Sequence, residues 1–338
     1  MKNILFFVLI ISIFMCGTIE IDAAKAKSKS LSAEELLEKG RTAFLNYDFE
    51  EAADMFDQYR TAKSKAKQEV DEGFEELEAQ LEIATNSFDR VQKIVIIDSL
   101  SVPRKTFYNS YRLASSAGKI GDVSQSFKGE LPSGPQPGFI SEEGDYVISV
   151  APKDGNLGLV ENYKLLDGTW MSRETLTGDF EKTGNYAYPF MSSDGQTLYF
   201  ANDGEESMGG YDLFVAQKDP ISGEYRQPLN LGMPFNSPFD DIMMALDEEN
   251  GIGWWATDRN SPDGKITIYV YLVDEIRKNY PDDTENLVEL ARIDNYKATW
   301  QPGKEKEYKA KLNSLPEEAA LQPESVKKER QTTARRRR

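Results

Sequence analysis

Three stretches of the chain share one pattern, and that pattern narrows the possible folds more than any other feature. They are PGFISEEGDYVISVAPKDGNLGLVENY from Pro137, PFMSSDGQTLYFANDGEESMGGYDLFVAQ from Pro189 and DIMMALDEENGIGWWATDRNSPDGKITIYVYL from Asp241. Each reads as a short strand, a tight turn closed by glycine, an apolar strand, a polar loop and a second apolar strand. The turn glycines are Gly144, Gly195 and Gly251, spaced 51 and 56 residues apart. Each turn needs a residue that tolerates positive φ, and Asp194-Gly195 is a strong hairpin signal. The polar loops carry glycine again at Gly155, Gly209-Gly210 and Gly264. After the second unit, GEYRQPLNLGMPFNSPFDD supplies a fourth strand and the passage to the third.

One such unit has two faces and cannot bury them alone. A repeat near 50 residues, each a small antiparallel sheet, is the pattern of a β-propeller, in which stacked blades bury a continuous core and leave few open edges. Three units span about residues 137–280. Residues 92–135 are expected to supply a fourth, and NLVELARI (286–293) a closing strand. The expected all-β propeller-like domain, residues 92–300, therefore has about four blades, in a ring that is either compact or finished by a partner.

The part before it is helical. SAEE at Ser32–Glu35 is a capping box, with Ser32 accepting from the helix N-terminus and Glu35 reaching back. Leu36, Gly40, Ala52 and Phe56 then fall at spacings 4, 12 and 4, which resembles one tetratricopeptide repeat and implies a pair of antiparallel helices whose small residues allow close approach. A third helix is expected over 64–91, where Val70, Phe74, Leu77, Leu81, Ala84, Phe88 and Val91 form a heptad seam. The seam either packs on the preceding pair to complete a small bundle or joins a partner in a coiled coil. One helical repeat is too little for an independent solenoid, so this domain, residues 27–91, should pack on the next domain or on a partner.

Composition removes several functions. The chain has 338 residues and a net charge of −17, which argues against general nucleic-acid binding. There is no histidine, which excludes Ser-His-Asp triads and the usual zinc sites, and the single cysteine, Cys16, lies in the N-terminal apolar run. Any enzymatic chemistry would fall to carboxylates, Tyr, Lys or Ser/Thr. Residues 1–26 resemble a secretory signal: Lys2, an apolar core of 16 residues, and Ala24-Lys25-Ala26 for a peptidase. The alternatives are a retained anchor, for which the run is short against the about 20 residues of a membrane span, and a lipoprotein acylated at Cys16. Met15, directly before Cys16, lacks the small size a lipoprotein signal wants. No other stretch is apolar enough to cross a bilayer, so the mature chain is expected to have no transmembrane segment. Residues 301–338 form a charged tail, expected to be a short helix followed by disorder and ending in Arg335–Arg338.

Two resemblances add to this. The spacing in LLEKGRTAFLNYDFEEAADMFDQY resembles one tetratricopeptide (TPR) repeat. FMSSDGQTLYFANDG with GGYDLFVA and PLNLGMPFNSPFDD resembles the WD40-like (PD40) repeat of the TolB-type propeller family, in the form found in cell-envelope proteins of Bacteroidetes. In that family Ser-x-Asp-Gly makes the turn, here Ser192, Asp194 and Gly195, and Gly-Gly-Tyr-Asp opens the next strand, here Gly209, Gly210, Tyr211 and Asp212. The second unit matches closely. The first and third lack Gly-Gly-Tyr-Asp, and the turn of the third is one residue longer.

Asp194, Asp203 and Asp212 are accordingly expected to be turn and blade-locking residues, since short Asp side chains accept from nearby backbone N–H groups. The rival reading is calcium, because Asn202, Asp203, Glu205, Glu206 and Asp212 lie close together and carry only oxygen donors. Trp254-Trp255 are the candidate interaction residues, as a sugar-stacking platform or as one core and one inter-blade aromatic. No cofactor is expected. The resemblance implies a non-enzymatic periplasmic scaffold with protein partners in the envelope or outer membrane, such as a type IX-like secretion machine. The alternatives are a glycan- or peptide-binding module and, least supported, a hydrolase.

Overall fold

The computed structural model describes residues 31–123, 137–174, 183–274, 276–281 and 283–315. The expected signal segment with Cys16 and the terminal Arg335–Arg338 run lie outside the described residues. The chain is mixed α+β, with an N-terminal helical bundle and three antiparallel sheets. No helix among the described residues is long and apolar enough to cross a membrane.

Helix α1 (Ala33–Leu45) starts with the expected capping box: Glu35 N donates to Ser32 Oγ and Ser32 N to the Glu35 carboxylate. Helix α2 (Phe49–Ala66) is capped by Asp48, which accepts from Glu51 N. Gly40 allows the two to approach, since a Cβ there would lie 2.3 Å from a ring carbon of Phe56. Ala52 and Phe56 are buried in the same contact. The single helix expected over 64–91 is instead broken. Lys67 ends α2 in the left-handed region (φ 55), and α3 (Phe74–Phe88) begins after Gly73 (φ 79). The break lets Phe74 fold back on α2, with ring centroids 5.6 Å from Phe56 and 4.5 Å from Tyr59. A continuous helix would carry Phe74 past these partners. The heptad seam therefore closes a three-helix bundle, as Phe74, Leu81, Ala84 and Val91 are buried with the α1–α2 core.

The first sheet holds β2 (Lys119–Asp122), β3 (Pro137–Ile140), β4 (Tyr146–Lys153), β5 (Asn156–Lys164) and β6 (Trp170–Glu174), in that order. The second holds β7 (Tyr186–Met191), β8 (Thr197–Asn202), β9 (Asp212–Gln217) and β10 (Leu229–Asn230). The third holds β11 (Asp241–Asp247), β12 (Ile252–Thr257) and β13 (Lys265–Leu272), with β1 (Val95–Pro103) paired to the outer edge of β13. The three repeat units are thus three meanders with one turn. Gly144 N donates to Ser141 O, Gly195 N to Ser192 O and Gly251 N to Glu248 O, and all three glycines have positive φ. The middle strands are apolar on both faces because both faces are covered, and one continuous core runs through all three sheets.

The fourth unit expected over 92–135 is not formed among the described residues. Residues 95–103 complete the third sheet and residues 119–122 start the first. An edge strand finds its partner through backbone hydrogen bonds, and β13 offered the longest open edge: eight residue pairs from Val95↔Leu272 to Pro103↔Lys265. The closing strand expected at 286–293 is also absent. Leu287–Arg292 is a short helix, α4, whose Leu290 and Ala291 are buried. Beyond it, α5 (Glu305–Asn313) lays Tyr308 against Trp300, and Tyr308 and Leu315 join the sheet core.

Replacing Gly40 by Val is expected to destabilise the chain by about 1–3 kcal/mol through overpacking against Phe56. Urea unfolding followed by circular dichroism measures it, and an unchanged midpoint would mean the helices are not held this close.

Candidate functional site at the helix–sheet junction

The loop NDGEESMGGYD, residues 202–212, lies where the helical bundle meets the second and third sheets. Its polar residues are occupied by the fold. Asp203 accepts from Asn185 N at 2.5 Å and from Asn185 Nδ2 at 2.9 Å, tying the end of β8 to the start of β7. The third sheet repeats the device: Asp258, after β12, accepts from Asp240 N at 3.0 Å. Asn202 donates to Thr183 O and Asn185 O and accepts from Gly204 N. Asp194 accepts from Gln196 N, Thr197 N and Thr197 Oγ1. Burial opposes its charge, but those donors hold its carboxyl below the usual range. Asp194 thus bonds the backbone of its own turn, and Asp203 the backbone at the far end of the hairpin. Ser192, in the same turn, is buried.

Gly209 and Gly210 are required by proximity. A Cβ on Gly209 would sit 2.6 Å from the Pro238 backbone, and one on Gly210 (φ 62) would strike the Asp240 carboxylate. Tyr211 N donates to Asp240 Oδ1 and Asp241 N donates to Tyr211 O at 2.6 Å, so Gly-Gly-Tyr-Asp seats the second sheet on the start of the third. Asp212 is wholly buried. Its Oδ2 accepts from Met208 N and Asn230 Nδ2, and its Oδ1 has no partner. Burial pushes this carboxyl well above the ordinary range, with the Asp241 charge adding to the push. Asn202, Asp203, Glu205 and Asp212 do not converge, and among the described residues no group of three or more acidic side chains is placed to hold a metal ion.

The loop also carries the joint. Met208 is fully buried, and it belongs to the core of the helical bundle together with Met233 and Ala291. Met233 N donates to Ser87 Oγ on α3, and Gln92 N donates to Met233 O. Behind it, Arg259 is 1% exposed and its guanidinium donates to Pro234 O, Phe235 O, Thr257 Oγ1 and Asp241 Oδ1. Asp241 also accepts from Ser237 Oγ. Burial pushes the Asp241 carboxyl up to about 6 against the pull of Arg259, so the pair is ionised at neutral pH. Tyr47, from the turn between α1 and α2, lies close enough to be influenced by both charges. Its hydroxyl is pushed up to about 12, chiefly by burial.

Trp254 and Trp255 do not form a surface platform. Both are 0% exposed, because β12 runs inside the third sheet with both faces covered. Trp254 meets Tyr111 at 5.7 Å on one face, and Trp255 meets Phe235, Tyr269 and Tyr271 on the other. One further polar cluster had no signal in the sequence. Glu161 Oε1 on β5 accepts from Tyr146, Tyr225 and Lys218, joining the first sheet to the second. These residues are dispersed over 80 positions and follow no motif spacing.

Compared with protein-family models and with curated proteins, the chain matches none.

Replacing Arg259 by Leu should cost about 3–5 kcal/mol by leaving Asp241 buried without its partner. The double variant R259L/D241L should recover part of that loss, and denaturant unfolding at neutral pH compares the two. The Asp212→Asn substitution tests the upward shift of this carboxyl. Asp212 has a raised folded pKa, so its contribution to stability is full below the unfolded value of about 4 and is lost as pH rises through the folded value. The stability of wild type minus that of D212N should therefore fall as pH rises above about 4, and a flat difference would overturn the assignment.

Proposed function

We propose that this chain is a non-enzymatic, exported scaffold protein of the bacterial envelope, with a TPR-like helical front and a propeller-like β-sheet body. The observation that carries the reading is how the repeat-motif residues are used. Ser192, Asp194, Asp203, Gly209, Gly210, Tyr211 and Asp212 all serve turns, latches and the joint between sheets. The polar groups of the most family-like stretch are thus spent on architecture, and function passes to the outer surfaces. The helical bundle supports the same reading. Its contact with the sheets is a packed joint with buried Met208 and Met233, so it presents a fixed face and not a tethered one. The resemblance to PD40 envelope proteins supplies the compartment, with the periplasmic side of the outer membrane as the place and a type IX-like secretion complex as the kind of machine.

A peptide-binding module is the second reading, and one groove favours it. A space of about 360 Å³ lies between α1, α3 and the Gly209-Gly210 loop, lined by Phe44, Leu45, Leu77 and Pro238. A glycan platform built on Trp254 and Trp255 has lost its residues to the core.

Affinity purification of a tagged copy from gently solubilised native envelopes, with mass spectrometry, separates these. A fixed set of envelope proteins at near-equal amounts is the expected result. Recovery of the chain alone, as a soluble periplasmic monomer, would sink the scaffold reading and leave the binding module.

A further inference from the structure

On the opposite side of the 202–212 loop lies a second and larger cleft, of about 500 Å³, within the size range of small-molecule sites. One wall is the face of α3 and its continuation that carries Ile83, Asn86, Ser87 and Arg90. The facing wall is Asn230, Leu231 and Gly232, and the third is Arg277 with Asn279. Its walls are pinned to one another. Met233 N donates to Ser87 Oγ at 2.7 Å, Lys93 N to Lys278 O at 2.7 Å and Tyr280 N to Val91 O at 2.9 Å. Gly232 (φ 70) has no room for a side chain, since a Cβ would sit 2.9 Å from Ser87 Oγ.

The charge in this cleft runs against the rest of the molecule. The chain carries −17 overall, yet the two segments that cross here bring Arg90, Lys93, Arg277 and Lys278 together. Arg90 and Arg277 both line the cleft, and neither has an ion-pair partner among the described residues. Among the described residues, the one side-chain hydrogen bond of Arg277 runs to Leu231 O at 3.3 Å. Burial and the like charge of Arg90 together pull Arg277 below its ordinary value. Two guanidinium groups that line one cleft and repel each other are stabilised when an anion binds there, and their planar forks suit phosphate and carboxylate oxygens. Asn86 and Asn279 add amide groups to the lining, and Ile83 and Leu231 add apolar surface. Among the described residues, Glu206 is the one carboxylate in the lining.

We propose that the cleft between α3, the Asn230–Gly232 turn and Arg277 is a binding site for a small phosphate- or carboxylate-bearing molecule of monosaccharide size, held by Arg90 and Arg277. The site stands independently of the scaffold reading, because it rests on the charge and shape of this cleft alone.

Isothermal titration and thermal shift of the full chain in low-salt buffer test it, with inorganic phosphate, glucose 6-phosphate, glucuronate and glucose as probes. The sugar anions should bind and raise Tm, and glucose should do neither. Binding of inorganic phosphate as tight as that of glucose 6-phosphate would place the recognition in the anion alone. R90Q and R277Q should each weaken binding by about ten- to a hundredfold, the loss of one charge-assisted contact. Without ligand neither variant should melt below wild type, since each relieves a repulsion. R226Q, at an arginine already paired with Asp219, is the control and should bind as wild type does. Failure of all three anions to bind would overturn the proposal, as would unchanged affinity in R277Q.

Discussion

The ion pair between Arg259 and Asp241 is the constraint on which the rest of the body depends. Arg259 lies at the end of β12 and Asp241 at the start of β11. Between them they hold the strand ends of the third sheet and the 234–237 segment that arrives from the second, beside the buried Tyr47 of the α1–α2 turn. Burying two charges is costly unless every remaining donor and acceptor is satisfied. Here the guanidinium is satisfied by carbonyls and a hydroxyl from separate segments, so the pair is stable only when all of them have arrived. That makes it a coincidence detector for the correct arrangement of sheets and helices.

The same logic explains the distribution of polar side chains. In an antiparallel sheet the ladder satisfies the backbone, but the ends of strands and the passages between sheets leave N–H groups without partners. Asp203, Asp258, Asp194, Asp240 and Asn236 all answer such groups. Short side chains reach nearby backbone without needing space, so the acidic, glycine-rich loop reads as a binding loop while acting as mortar. Where such side chains are fully enclosed the cost shows, as at Asp212, which keeps one oxygen without a partner and whose carboxyl burial pushes well above the ordinary range.

Strand conformation also bends to tertiary demand. Tyr188 in β7 and Met243 in β11 have positive φ at the same point of their units, each at a register shift. Neither is glycine, so each carries a local cost that the surrounding packing must offset. At Met243 the carbonyl accepts from the buried Tyr111 hydroxyl at 2.7 Å. The passage between β1 and β2 is thereby fastened to the third sheet.

Local chemistry was legible in the sequence. The capping box at Ser32, the close approach at Gly40, the three glycine turns and the Asp194 turn depend on residues within a few positions of one another, or on one helix pair, and the Asp203 latch on the two ends of the β7–β8 hairpin. Their partners are therefore fixed by backbone geometry. The choice of partners over long distances was not legible. Residues 95–103 look equally able to begin a new sheet or to finish an old one, and only the open edge of β13 decided between them. Trp254 and Trp255 sit on alternate faces by strand geometry alone, but whether either face meets solvent depends on what else stacks there. The break at Lys67, the burial of Arg259 and the meeting of Arg90 and Arg277 in one cleft have the same origin. Each is set by packing energy between segments distant in the chain, and a linear sequence pattern carries no record of which distant surfaces will meet.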